Sequence, residues 1–200
     1  PRYRGYAYLS SVAELEPNDP EEAQALSLIR DWDLHTDTAN RNAALGVCIL
    51  LEEWQAERTG NPLPDARETL HTCMESVRDV AGKLNPEWGA VQQHGRGQRT
   101  WPVAGGPDTL RAMYAEQLED EDDFLTVVAG DGLYYLIEWN AEGEQTIRGT
   151  HQYGSQMIDE SSPHYLDQAE SFSQEIMRAP GFYPENRSAT SKRYTVTSAD

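Results

Sequence analysis

The sequence predicts an α+β fold in which a helical layer is followed by antiparallel strands and a helix. The first half carries apolar residues at helical spacing between clear start and stop signals. From Pro86 onward glycines interrupt any helical period, and three short segments rich in β-branched and aromatic residues follow. These observations divide the chain into a helical segment (1–85), strands plus a helix (86–178) and an extended tail (179–200).

Helices are predicted over most of the first half, each from a start signal and an apolar stripe. Asp19 and Pro20 give the clearest start, because an aspartate caps free backbone N–H groups and proline suits the first helical turn. Gly60 gives the clearest stop. The predicted helices are a weak one over 6–15, one from Pro20 to about Trp32, one from Asp37 or Thr38 to Gly60, and one from Asp65 to before Pro86.

The second half predicts a three-stranded antiparallel meander formed by Phe124–Ala129, Leu133–Trp139 and Gln145–Thr150. The first two segments are apolar without alternation, which is typical of strands covered on both faces. A last helix is expected from about Pro163 to Met177, with Ser162 as its N-cap. Three strands cannot cover themselves on both faces, so further protein is expected to pack against them.

The charge of the chain is strongly acidic. Its 34 acidic residues outnumber 16 basic ones, which gives a net charge of −18. Such a charge argues against nucleic acid or an anionic membrane as the partner. No apolar run approaches the roughly 20 residues that a membrane span requires. We therefore expect a soluble protein with an acidic surface, and salt adaptation of the source stays open.

The two cysteines, Cys48 and Cys73, both fall on apolar faces of predicted helices. This placement favours two buried free thiols over a disulfide. Because a disulfide stays the alternative, the two cysteines do not decide the compartment of the protein.

No metal site is predicted. His71 and Cys73 are two residues apart on a predicted helix and so face different directions, and the HExxH and CxxC spacings typical of zinc sites are absent from the sequence. His35 lies among aspartates, where a capping or surface role is favoured. We expect no cofactor.

No nucleophile with a neighbouring base is evident. The sequence contains no GxSxG motif, and both cysteines lie mid-helix, where a thiolate is disfavoured. Gly105 and Gly106 resemble a phosphate-binding loop, but the lysine and spacing of such a loop are missing, so a structural turn is favoured. A catalytic role for Pro1 as a base is disfavoured because helices follow it. Asn186 begins a triplet that matches a glycosylation acceptor, a pattern common by chance.

Five ordered motifs resemble one enzyme family. The stretch Thr100–Ala112 is similar to the "LPVAGGPDTLRA" sequence of acyl-homoserine-lactone acylases and related penicillin-acylase-type enzymes. The other matches are Leu28–Asp33 with Asp37 to "LL..WD...D", Gly130–Asp131 to "GDS", His151–Ser155 to "HQYGS" and Ser162–Gln168 to "SPHYADQ". The chain therefore resembles the carboxy-terminal part of the β chain in this family.

The resemblance implies an N-terminal-nucleophile hydrolase with a four-layer αββα sandwich. Such enzymes cut themselves and use the newly exposed serine as nucleophile, with its own α-amine as base. This chain begins with Pro1, and no segment resembles the family's β-chain start, so we assign no catalytic residue and leave the substrate-binding residues unknown. Pro1 is interpreted as a cut or an artificial boundary. His151 and His164 could lie near the cleft, but packing and hydrogen-bonding roles are favoured.

The function implied by the resemblance is that of a non-nucleophile portion of an amidohydrolase. It would cleave N-acyl amides such as acyl-homoserine lactones or penicillins, a reaction linked to antibiotic resistance, and this chain alone would be inactive. The expected partners are the remaining α and β polypeptides of the same precursor and a small N-acyl substrate. Family resemblance suggests a periplasmic or secreted protein, with any structural calcium bound outside this chain. The alternative is a non-catalytic binding or assembly module.

Overall fold

The computed structural model describes residues 1–118 and 123–179. The chain divides into two compact units, Pro1–Asp131 and Gly132–Asp200. Nearly all of the predicted tail, and Asn186 with it, lies outside the described residues.

The described residues of the first unit contain five helices: α1 (Ala7–Ala13), α2 (Pro20–Arg30), α3 (Ala43–Thr59), α4 (Ala66–Ala81) and α5 (Trp88–Val91). The first four correspond to the four predicted helices, and the short α5 was not predicted. Local signals set the helix ends: the carboxylate of Asp19 accepts the backbone N–H groups of the first turn of α2, and Asp65 does the same for α4. α3 and α4 end at Gly60 and Gly82, which adopt φ of 72° and 69°.

The helix predicted from Asp37 or Thr38 begins later, at Ala43. The backbone N–H of Asn40 donates to Asp37 O at 2.9 Å, and the side-chain oxygen of Asn40 accepts the N–H of Asn42 at 2.9 Å. These local hydrogen bonds hold residues 37–42 in turns, because short polar side chains compete with helix formation.

The core of the first unit lies among its helices and the segment before them. Tyr3, Leu26, Leu45 and Leu50 are almost fully buried. The ring of Trp32 packs directly on Gly46, where any Cβ would overlap the indole. This contact brings the chain after α2 close against α3.

A disulfide joins Cys48 in α3 to Cys73 in α4, with Cα atoms 5.8 Å apart. The prediction of two free thiols is therefore wrong. Both cysteines were placed correctly on apolar faces, but these faces meet each other, and the Cα separation lies within the range that a disulfide spans.

The strands described in the first unit are β1 (Gln92–Arg96), β2 (Arg99–Pro102), β3 (Met113–Glu116) and β4 (Leu125–Gly130). They form one four-stranded sheet in the order β2-β1-β4-β3. β1 pairs with β2 and β3 with β4 in antiparallel fashion, whereas β1 and β4 are parallel. A register shift interrupts the β3–β4 ladder between Tyr114 and Ala115.

The second unit contains a hairpin of β5 (Leu133–Trp139) and β6 (Gln145–His151), paired in register from Leu133↔His151 to Trp139↔Gln145. The predicted three-stranded meander is thus wrong, although its strands exist. β4 pairs with β1 and β3 because Asp131 is tied to Ala112: its N–H donates to Ala112 O at 2.8 Å and its carboxylate accepts Ala112 N–H at 2.9 Å.

The final helix is much shorter than predicted. α6 spans Ala169–Ser173, and the preceding residues form separate turns in which Tyr165 N–H donates to Ser162 O and Ala169 N–H to Leu166 O, each at 3.1 Å. These i to i+3 hydrogen bonds replace the ladder of a continuous helix.

β5 does not show the cover on both faces that its apolar sequence predicts. Tyr135 is 48% exposed and Trp139 is 64% exposed. On the other face, the ring of Tyr134 packs on Phe172 of α6 with centroids 5.9 Å apart. In residues 1–118 and 123–179, no helix has the length and apolar character needed to cross a membrane.

Candidate functional site

A pocket of about 440 Å³ lies within the second unit, where two of the sequence motifs meet. The end of β6 supplies the first motif, His151–Ser155, and the turns before α6 supply the second, Ser162–Gln168. The pocket walls include Tyr135, His151, Ser155, Asp167, Gln168 and Arg178. The structure therefore brings together motifs that are about ten residues apart in the chain.

The hairpin fixes one wall of this pocket. Gly149 of β6 exchanges two backbone hydrogen bonds with Arg178, both of 2.8 Å. The ring of Tyr135 lies across Gly149, and any larger residue there would overlap it. The guanidinium of Arg178 donates to Ser171 Oγ at 2.7 Å, which holds this cationic group beside the pocket.

The two motifs are locked together at Gly154. The carbonyl of His164 packs so closely on Gly154 that a Cβ would overlap it. The N–H of Gln156 donates to the same carbonyl at 3.0 Å. A hydrogen bond of 3.1 Å between His164 Nδ1 and Asp167 Oδ2 then fixes the carboxylate that lines the pocket.

The hydrogen bonds of His151 determine which chemistry its ring can perform. Its Nδ1 accepts the backbone N–H of Tyr153 at 3.3 Å, so a neutral ring carries its proton on Nε2. Such a ring donates a hydrogen bond and does not act as a base through Nε2. No hydrogen bond described for residues 123–179 joins Ser155 to His151. The arrangement can bind and orient a polar group next to the apolar surface of Tyr135.

Both histidines thus take part in hydrogen bonds, as favoured from the sequence. Whether His151 and His164 lie near an active cleft stays a prediction, as does the absence of a catalytic residue. Pro1 shows a structural contact: its carbonyl accepts the N–H of Thr36 at 3.0 Å.

The Gly105–Gly106 loop is a structural turn, as predicted. The N–H of Gly105 donates to Thr36 O at 3.3 Å and that of Gly106 to Arg111 O at 3.1 Å, so neither is directed at a ligand. Gly105 has a φ of 102°, and a Cβ there would overlap the carbonyl of Arg111. The Gly105 carbonyl accepts the indole N–H of Trp88 at 2.9 Å.

The amino-terminal segment holds this loop from the other side. The hydroxyl of Tyr6 donates to Asp108 at 2.5 Å, and Arg4 Nε lies 3.5 Å from the same carboxylate. Burial, followed by the hydrogen bond to Asp108, raises the pKa of Tyr6. Tyr3 packs against Gly106, and burial raises its pKa well above the ordinary range.

A second charged cluster, centred on Glu22, was not predicted from the sequence. The buried Glu22 carboxylate accepts hydrogen bonds from Asn18 N–H at 2.7 Å and Arg67 at 2.5 Å, and it lies 2.6 Å from His71 Nε2. The hydrogen bond from Asn18, followed by those from His71 and Arg67, lowers the pKa of Glu22 to about 2. The cluster joins α2 to α4. Arg67 and His71 lie 45 and 49 residues from Glu22 in the chain, so nothing in the local sequence signals the cluster.

The candidate metal ligands are dispersed. His71 contacts Glu22, and His35 Nδ1 lies 3.6 Å from Asp37. Among the described residues, no group of three or more histidines, cysteines and acids could hold a metal ion. The expected lack of a cofactor stays a prediction.

Comparison with known proteins gives a family match over nearly the whole chain. The family model described as "Penicillin amidase" matches residues 4–189. This range contains all five motifs and the described helices and strands of both units.

Two relatives extend this result. The chain is 30% identical over 115 residues to acyl-homoserine lactone acylase PvdQ of Pseudomonas fluorescens (strain Pf0-1), and 27% identical over 107 residues to the PvdQ of strain Pf-5. The matched regions cover 55% and 53% of this chain, but 14% of each relative. The chain therefore spans a small part of the length of these acylases.

Proposed function

Since the chain belongs to the penicillin amidase family, we propose that it is a portion of an enzyme that hydrolyses N-acyl amides. The observation that carries the proposal is the family match over residues 4–189, within which two neighbouring motifs line one pocket. Two relatives are acyl-homoserine lactone acylases, which favours a substrate with an acyl group on an amine.

The nucleophile in this proposal is an amino-terminal serine on a segment outside the chain. Its hydroxyl attacks the amide carbonyl carbon while its α-amine takes the hydroxyl proton. The oxyanion then collapses to an ester of the serine, and the amine product leaves with the proton. Water hydrolyses the ester, releasing the carboxylic acid and restoring the serine. Hydrogen-bond donors at the developing oxyanion lower the barrier.

The contribution of this chain is the support of that site. The polar pocket beside Tyr135 has a donor in His151, a cation in Arg178 and an anion in Asp167, each held by its own hydrogen bond. Such fixed groups suit the orientation of an amide and its polar neighbours. In this proposal the three residues position the substrate and do not react themselves, because the nucleophile lies on a segment outside the chain.

The partners in this proposal are the remaining α and β polypeptides of a self-cleaving precursor. The exposed apolar residues of β5, above all Tyr135, Ile137 and Trp139, support further strands packing on the hairpin. This cover would complete the αββα sandwich. The division of the chain into segments 1–85, 86–178 and 179–200 also remains a proposal.

A periplasmic or secreted location is part of the same proposal. The Cys48–Cys73 disulfide supports it, because disulfides persist chiefly in oxidising compartments. A penicillin-like substrate, and with it a link to antibiotic resistance, is the more specific extension.

The experiment uses the complete protein that contains this chain. After purification, the amino terminus of each polypeptide is sequenced, and amine release from N-acyl homoserine lactones and from penicillin is measured. We expect a polypeptide that begins with serine, and hydrolysis that disappears when this serine is replaced by alanine. The separate 200-residue chain is the control and should show no hydrolysis.

A protein that stays in one piece and hydrolyses none of these amides would contradict the proposal. Such a protein would instead act as a binding or assembly module of the same family.

A further inference from the structure

An apolar cavity of about 160 Å³ lies within the first unit, separate from the polar pocket. Its walls come from α3, α4, α5 and the neighbouring sheet. Aliphatic side chains dominate the lining, including Ala44, Val47, Leu51, Val77, Val80 and Leu125. No charged residue is among the lining residues.

Apart from the exposed Ser76, the polar side chains in the lining are already engaged with protein. Trp88 donates its indole N–H to Gly105 O at 2.9 Å, so its ring serves the cavity as an apolar surface. Gln92 donates its side-chain N–H groups to Val103 O and Gly105 O, both at 3.1 Å. Cys48 is held in the disulfide and offers no thiol. A polar ligand would therefore lose its hydrogen bonds to water without regaining them here.

We propose that this cavity binds a hydrocarbon group no larger than a benzene ring. An apolar cavity of roughly 150 Å³ stays free of water and takes up benzene or xenon. The cavity in this protein has about the same volume and an apolar lining.

A ligand can reach the cavity from the side of α4. Ser76 lines the cavity and is exposed, so the cavity meets the surface there. Ala44 lies in the buried part of the lining, 3% exposed. Substitutions at these two residues therefore test ligand binding, one from the rim of the cavity and one from its interior.

The direct test titrates benzene into the complete protein and records both its melting temperature and saturation transfer to the benzene protons by NMR. At ten times the dissociation constant, we expect benzene to raise the melting temperature by about 1 °C, because the shift becomes smaller as the protein becomes longer. Pyridine, which has the same shape but a polar ring nitrogen, should give a much smaller rise. Absence of benzene binding to the complete protein would overturn the proposal.

Two variants locate the binding. Ala44→Leu fills the cavity from within and should raise the melting temperature without ligand while removing the benzene effect. Ser76→Leu fills it from the exposed rim, where folding is not at risk, and should weaken benzene binding at least about tenfold. Thr72→Leu, one turn away on the exposed part of α4, is the control and should bind as the native protein does. Equal benzene binding by all three variants would also overturn the proposal.

Competition identifies the source of the hydrocarbon. Displacement of benzene by N-butanoyl homoserine lactone would assign the cavity to the chain of an amide substrate. Benzene that stays bound in the presence of this amide would assign it to a separate small molecule. Either outcome is independent of whether the protein hydrolyses amides, since benzene binding is measured without turnover.

Discussion

Cys48 and Cys73 face each other across α3 and α4, and the disulfide between them closes a loop of 25 residues. This loop contains most of α3, the turn through Pro62 and Pro64, and the first half of α4. The crosslink therefore spans the longest pair of helices in the first unit. It restricts the unfolded chain more than the folded one.

Removal of the disulfide should lower the free energy of unfolding by about 3.5 kcal/mol, the value expected for a loop of this length. The double variant Cys48→Ala/Cys73→Ala is compared with the native protein in urea, each with and without a reductant. Reductant should shift the urea midpoint of the native protein only. A native protein whose midpoint is the same with and without reductant would show that the crosslink contributes no stability.

The Glu22 cluster predicts a loss of stability in acid. Folding lowers the pKa of Glu22 from 4.5 to about 2, so the unfolded chain binds a proton more readily than the folded one. The stabilisation is fully present above about pH 4.5 and is lost as the pH falls towards 2. We expect Glu22→Gln to flatten the dependence of the urea midpoint on pH in this window.

The control for this measurement is Glu14→Gln, a change at an exposed residue before α2. It should keep the native slope between pH 4.5 and 2. A native slope in Glu22→Gln as well would mean that other carboxylates, such as Asp33 and Asp159 with their lowered pKa values, account for the acid sensitivity.

Gly105→Ala should destabilise the first unit by at least about 2 kcal/mol, because its φ of 102° disfavours any side chain and a Cβ would overlap the carbonyl of Arg111. Two glycines calibrate the effect. Gly60 has a φ of 72°, but nothing lies within 4 Å of a Cβ added there, so Gly60→Ala should cost about 1 kcal/mol. Gly5→Ala meets nothing within 4 Å and should change stability by less than about 0.5 kcal/mol. Thermal unfolding of the three variants gives the order, and a Gly105→Ala protein as stable as Gly5→Ala would contradict it.

His151→Ala tests the role of the polar pocket in the complete protein. If His151 orients and supports, as we expect, kcat for amide hydrolysis should fall by less than about tenfold, because proton transfer by a reacting side chain contributes roughly 10²–10⁴-fold. A loss of 10²-fold or more at unchanged folding would place His151 among the reacting groups. His164→Ala is the matched comparison, since its ring contacts Asp167 and its side chain is 65% exposed.

Local signals in the sequence predicted much of the helical layer. Asp19 and Asp65 cap α2 and α4, and Gly60 ends α3, because each acts through hydrogen bonds or backbone angles within a few residues. The extents of β5 and β6 followed from their composition in the same way. The structural role of the Gly105–Gly106 turn was also evident from the missing lysine.

Features that depend on distant residues were not predictable. The partner of Cys48 is 25 residues away, and the partners of Glu22 lie even further along the chain. β4 was assigned to the wrong sheet because Asp131 bonds to Ala112, 19 residues earlier. In the candidate site, the motifs of the polar pocket were recognised, but the proton position on His151 depends on the N–H of Tyr153, which composition does not reveal.

The disulfide also affects what a protease can release. The turn between α3 and α4 is exposed from Gly60 to Pro64 and is the kind of segment that proteases cut. Because Cys48 and Cys73 lie on opposite sides of this turn, the two pieces of a chain cut there remain covalently joined. Such a protein runs as one band on a non-reducing gel and as two bands after reduction, while its helices stay paired.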